Sequence, residues 1–187
     1  MSRVALYACA VAGAMLVEAP KLSAEDASEH TYRHALTGFS VTAPRGWKRI
    51  QPAKPAPDIL ASWSATGRNE PPAMFVFGEV YGGAADSPLT YVEMRLMIAS
   101  FAGERWTNVA KEESVAVNGI PAARFMMDDD RRLASSPEVS PALTYCFTKA
   151  LNSKESIAIE LAFVDRSGHL PQLHDAIDEA LETVRFE

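Results

Sequence analysis

Asn118-Gly119 lies between two runs, Thr107 to Val117 and Pro121 to Met127, that read as strands. Both residues of the pair accept positive φ, which the tight turn between twisted antiparallel strands requires, so this stretch is committed to a β-hairpin. A second hairpin follows. Leu143, Tyr145 and Phe147 alternate with Thr144, Cys146 and Thr148, and Asn152-Ser153-Lys154 turns the chain into Ile157, Ile159, Leu161 and Phe163. Upstream, Ile59 to Ala65 and Met74 to Tyr81 are branched and aromatic runs joined across Pro71-Pro72, and Phe39, Val41 and Ala43 alternate with Ser40 and Thr42 until Pro44-Arg45-Gly46 ends the strand before Trp47. Between them, Pro52, Pro55 and Pro57 exclude helix and interior strand, leaving a loop.

Two helices complete the order. Ser87 supplies a cap and Pro88 a first-turn residue, with Leu89, Val92, Leu96 and Ser100 at helical spacing as far as Phe101. At the other end, Leu170, Leu173, Ile177, Ala180, Leu181 and Val184 form one stripe opposite Asp175, Asp178, Glu179 and Glu182. Hairpins dominate and no βαβ alternation occurs, so the expected class is α+β, an antiparallel sheet of about six or seven strands flanked by helices.

Arg3 precedes an apolar run from Val4 to Val17, and Ser23-Ala24 stands before Glu25-Asp26. That run falls short of the roughly 20 residues that span a bilayer, and its order is that of a secretory signal peptide. The expected organisation is a signal peptide over residues 1–24, a polar N-terminal lead-in over 25–37 open to disorder, and one domain over 38–187, exported to the periplasm or beyond. Export would remove Cys9 and leave Cys146 alone, with no intramolecular disulfide. A net charge of −6 opposes phosphate backbones, which argues against nucleic acid as a partner.

The sequence contains no Gly-x-Ser-x-Gly, P-loop, Gly-x-Gly-x-x-Gly or His-Glu-x-x-His pattern, so no catalytic residue, cofactor or metal is expected. His30 and His34 have i,i+4 spacing but fall in the polar lead-in, where solvated side chains are expected; His169 and His174 have the wrong offset for one helix face. Cys146 reads as a buried thiol beneath a helix, Met94, Met97, Met126 and Met127 as filling beneath helices, and Trp47 as a plug at the sheet edge. Asp128 to Ala142 is a long connection for a compact domain. Its acids Asp128, Asp129 and Asp130, then Arg131 and Arg132, with Leu133 and Val139 as apolar anchors, make it the candidate partner-binding loop; a calcium site is disfavoured because the acids lack alternating ligands and a central glycine.

The stretch Gly38-Phe39-Ser40-Val41-Thr42-Ala43-Pro44-Arg45-Gly46-Trp47, with Val117-Asn118-Gly119-Ile120-Pro121-Ala122-Ala123-Arg124, the Tyr145-Cys146-Phe147 strand and the final helix ending in Val184-Arg185-Phe186, resembles the PsbP-like family, which includes DcrB-type bacterial envelope proteins. The resemblance covers roughly residues 38–187. It implies an α/β/α sandwich and an accessory or binding role, as in an extrinsic photosystem subunit, a Ran-binding import factor and secretion adaptors, and it supplies no catalytic residues. The expected function is that of an exported, non-enzymatic accessory or binding protein acting on an envelope protein or complex. A small-molecule or lipid carrier with a cleft between sheet and helix is the alternative, and an enzyme of unknown type comes third.

Overall fold

Alternating inward and outward side chains organise the molecule around one large sheet. The computed structural model describes residues 29–51, 58–66, 72–83, 87–102, 107–128, 141–165 and 173–187. Along the chain run β1 (Thr31–His34), β2 (Phe39–Thr42), β3 (Lys48–Arg49), β4 (Ile59–Ser64), β5 (Ala73–Gly82), α1 (Pro88–Ala102), β6 (Thr107–Val117), β7 (Ile120–Asp128), β8 (Pro141–Ala150), β9 (Glu155–Val164), α2 (His174–Glu182) and β10 (Arg185–Phe186). Strands β3-β4-β5-β9-β8-β7-β6 form a seven-stranded antiparallel sheet, and β1-β2-β10 a second, three-stranded one. Asn118 and Gly119 take φ of 53° and 79°, as the tight turn demands.

Each face of the large sheet is covered differently. Ile157, Ile159, Leu161 and Phe163 of β9, Tyr145 and Phe147 of β8, and Met74 and Val76 of β5 pack on one face with Trp47, Trp63, the small sheet's Tyr32, Phe39 and Val41, and α2's Ile177 and Ala180, flanked by Leu173 and Val184. The opposite face carries α1, whose Tyr91 and Val92 cover Ala123, Phe125, Cys146 and Ala158. Cys146 is thus buried under a helix, on the other side of the sheet from its neighbours Tyr145 and Phe147. Ser87 caps α1 as expected, its Oγ accepting the Thr90 amide at 3.1 Å.

Three details depart from the sequence reading. Within the polar lead-in, Thr31–His34 forms a strand paired with β2, because Tyr32 and His34 point inward while Arg33 points out, a two-residue period that the polar side chains disguise. His34 is therefore buried and not solvated; its Nδ1 lies 2.9 Å from the Thr37 hydroxyl. The strand at Phe39–Thr42 joins the small sheet with β1 and β10, while the short β3 takes the edge of the large one. Met97 is 55% exposed on α1 rather than filling space beneath it. Residues 1–24, read as a signal peptide, and Leu170 lie outside the described residues, among which no helix is long and apolar enough to cross a membrane.

Candidate functional site

Of the seven residues assigned to a partner-binding loop, only Asp128 lies in the described part of the chain. It ends β7, opposite Pro141 of β8 and Thr107 of β6, so the two ends of the connection are held side by side by the sheet. Asp129, Asp130, Arg131, Arg132, Leu133 and Val139 lie outside the described residues.

Two open grooves flank the tip of the β6–β7 hairpin. One, of about 420 Å³, runs between the end of β6 and α2. Its walls are Val115, Val117 and Leu181, and its polar groups are Arg124, Tyr145, Asp178 and Glu182. The register explains the grouping: Glu113, Arg124 and Tyr145 stand opposite one another on adjacent strands and so share a face. Arg124 is ion-paired with Glu113, and burial raises the Tyr145 phenol's pKa despite the opposing pull of Arg124. Asp178 and Glu182 come from α2, held in place by Asn118 of the turn, whose Nδ2 donates to the carbonyls of Leu181, Glu182 and Val184.

The second groove, about 370 Å³, lies on the other side of the turn and is lined by Ile120, Pro121, Lys149 and Phe186 among others. Lys149 stands 5.4 Å from the Phe186 ring and donates to the Thr37 and Glu187 carbonyls, so its charge is committed to joining β8 to the small sheet.

Beneath α1 sits a polar group that sequence reasoning missed. The Tyr91 hydroxyl donates to Glu79 Oε2 at 2.9 Å, and Arg95 pairs with the same oxygen at 3.0 Å. Burial, reinforced by the nearby Glu160 and Glu79 carboxylates, raises the Tyr91 pKa far above its ordinary value, which keeps the phenol protonated as the donor to Glu79. The signal was present in the helical offset of Tyr91 and Arg95, but nothing local pointed to Glu79 on β5 as their common partner. Among the described residues no three His, Cys, Asp or Glu side chains come together to hold a metal ion.

No family model and no curated protein matches the chain in sequence. Solved structures do match. LpqN of Mycobacterium tuberculosis, described as involved in cell envelope biogenesis, superposes with a TM-score of 0.53 at 11% identity, over 86% of each chain. A cyanobacterial PsbP from Synechocystis matches with a TM-score of 0.46 at 11% identity, over 87% of this chain and 96% of that one. A Bacteroides thetaiotaomicron protein matches at 0.44 and 9% identity, over 86% of this chain and 49% of its own. At such identities the likeness is one of architecture: the chain has an α+β fold shared with LpqN.

Proposed function

We propose that this chain is an exported accessory protein that binds another protein of the cell envelope and performs no chemistry of its own. The observation that carries the reading is the form of its recesses: both grooves at the β6–β7 tip are open to solvent and mix apolar walls with charged rims, as suits a macromolecular partner better than an enclosed small molecule. The leader-like order of residues 1–24 and the envelope role stated for LpqN support the compartment.

A carrier remains the second reading because of one atom. Thr144 is fully buried on the α1 side of the sheet, level with Ala162, and its hydroxyl has no hydrogen-bond partner among the described residues, which is costly unless something supplies one. The experiment is to crosslink the tagged full chain in producing cells and purify it from the envelope fraction, analysing both protein adducts and solvent-extractable molecules. A stoichiometric adduct to one envelope protein is expected. A stoichiometric small molecule or lipid without a protein adduct would favour the carrier, and neither product would overturn both readings.

A further inference from the structure

Strand β6 forms one edge of the seven-stranded sheet. Its pairing with β7 is irregular near Ala110 but regular from Glu113 through Val117. Ser114 and Ala116 are exposed in that regular stretch. Ala116 stands opposite Pro121, which has no N–H to offer, so this pair is of the non-bonded kind and the Ala116 N–H and C=O point away from β7 to the open edge. An extended chain can add there by main-chain hydrogen bonding.

Beside this edge, on the face that carries α2, lies the 420 Å³ groove. Its charge is unbalanced toward the negative. Among the described residues that line it, Arg124 is the one cation and is already paired with Glu113, while Asp178 and Glu182 project from successive turns of α2, and the last turn of that helix holds no basic residue. Asp178 has the exposed imidazole of His174 beside it, at 3.0 Å, and Arg185 directs its guanidinium to the main-chain carbonyls of Glu182 and Val184. Val115 and Leu181 offer apolar walls for a long aliphatic stem, and the Tyr145 ring an electron-rich surface.

We infer that the β6 edge and this groove together dock an extended segment of a partner protein, paired antiparallel or parallel to Glu113–Val117, with a lysine or arginine side chain seated between Tyr145 and the Asp178 and Glu182 carboxylates. Main-chain bonds to Ala116 supply the affinity, and the acidic groove selects the basic side chain. The inference rests on the reading of the chain as a protein-binding accessory and specifies the chemistry of its partner.

The test places a benzoyl-phenylalanine photocrosslinker at Ser114 of the full-length protein in producing cells, with a parallel probe at Met97 on α1, and sequences the crosslinked segment. The expected adduct at position 114 is one extended segment with a lysine or arginine within two residues of the crosslink. Ala116→Pro, which a strand edge tolerates where the N–H faces outward, should abolish that adduct with the thermal midpoint unchanged. Asp178→Asn combined with Glu182→Gln, at two exposed positions, should reduce it about fivefold or more. A segment without a basic residue, or an adduct insensitive to the charge variants, overturns the inference. An adduct at Met97 but none at Ser114 overturns it while leaving the binding role standing, and no adduct at either site overturns both.

Discussion

Asn118 and Leu181 are 63 residues apart in sequence, yet the Asn118 Nδ2 donates to the Leu181 carbonyl at 2.8 Å and bridges on to the carbonyls of Glu182 and Val184. The tight turn of the β6–β7 hairpin is therefore also the cap of α2. Helix C-termini leave carbonyls unpaired, and here a turn residue from another hairpin meets them, joining the two walls of the groove. Asn118→Gly keeps the positive φ but removes these bonds, and should lower stability by about 1–2 kcal/mol in urea denaturation. Asn118→Asp should cost more than glycine, because it turns a carboxylate toward carbonyl oxygens at the negative end of a helix. Equal midpoints for the three proteins would mean that the cap contributes nothing.

Gly38 has φ of 67°, and a Cβ placed there would stand 2.5 Å from the main-chain oxygen of Glu187. That oxygen belongs to the segment after β10, whose amide at Glu187 donates to the Gly38 carbonyl at 3.1 Å. Gly38→Ala should thus cost more than the ~1 kcal/mol of an ordinary positive-φ replacement, since main chain cannot swing aside. Hydrogen exchange should show the loss first at Phe186 and Phe39, the residues paired between β10 and β2. Unchanged protection at both would refute the account.

His34 should make stability depend on pH. Its Nδ1 faces the Thr37 hydroxyl, which also accepts the Phe39 amide, and the arrangement is best satisfied when the imidazole is neutral and accepts the threonine proton. Burial lowers the His34 pKa from its ordinary value. A base whose pKa is lower folded than unfolded binds more protons in the unfolded chain, so stability contributed by this residue is present above the unfolded value near 6.5 and is lost as the pH falls below it. Lys149 donates to the carbonyl of Thr37, the residue whose hydroxyl His34 faces, and Arg33, next in the chain, points outward to pair with Glu187. Denaturation midpoints should decline as the pH falls below about 6.5, and His34→Gln should flatten that decline; an identical slope in the variant would assign it to other groups.

Ile177 is the centre of the apolar stripe on α2 and is 5% exposed. Ile177→Ala should cost on the order of 2–5 kcal/mol. Because α2 carries Asp178 and Glu182, the same variant should also loosen the groove, visible as faster hydrogen exchange at Val117 and Ile120, the pair that closes the turn. A loss under about 1 kcal/mol would fall below the range for a packed isoleucine and would place the helix elsewhere.

The hairpins were legible because their information is local. Asn118-Gly119 states its turn in two residues, and the alternation from Leu143 to Phe163 states both which residues are strand and which face each one takes. Cys146 and Tyr145 were separated to opposite faces by period alone, whereas Trp47, read as a plug at the sheet edge, packs into the core on the α2 face. Strand β1 escaped because Thr31-Tyr32-Arg33-His34 is polar, and its burial depends on Phe39–Thr42 folding back upon it. The groove escaped for the same kind of reason: Asp178 and Glu182 read as the solvated face of an amphipathic helix, which they are, and only the hairpin brought beside them makes that face one wall of a recess.

Period, turn chemistry and capping thus determined the hairpins, the two helices and the antiparallel class before any contact was known, since each depends on residues within a few positions of one another. Tertiary structure alone decided that β2 leaves the large sheet to pair with β1 and β10, that Asn118 caps α2, and that Tyr91 and Arg95 meet on Glu79. Those are pairings between segments far apart in the chain, where many partners satisfy the same local pattern and the choice falls to whichever packing buries the most apolar surface with its polar groups paired.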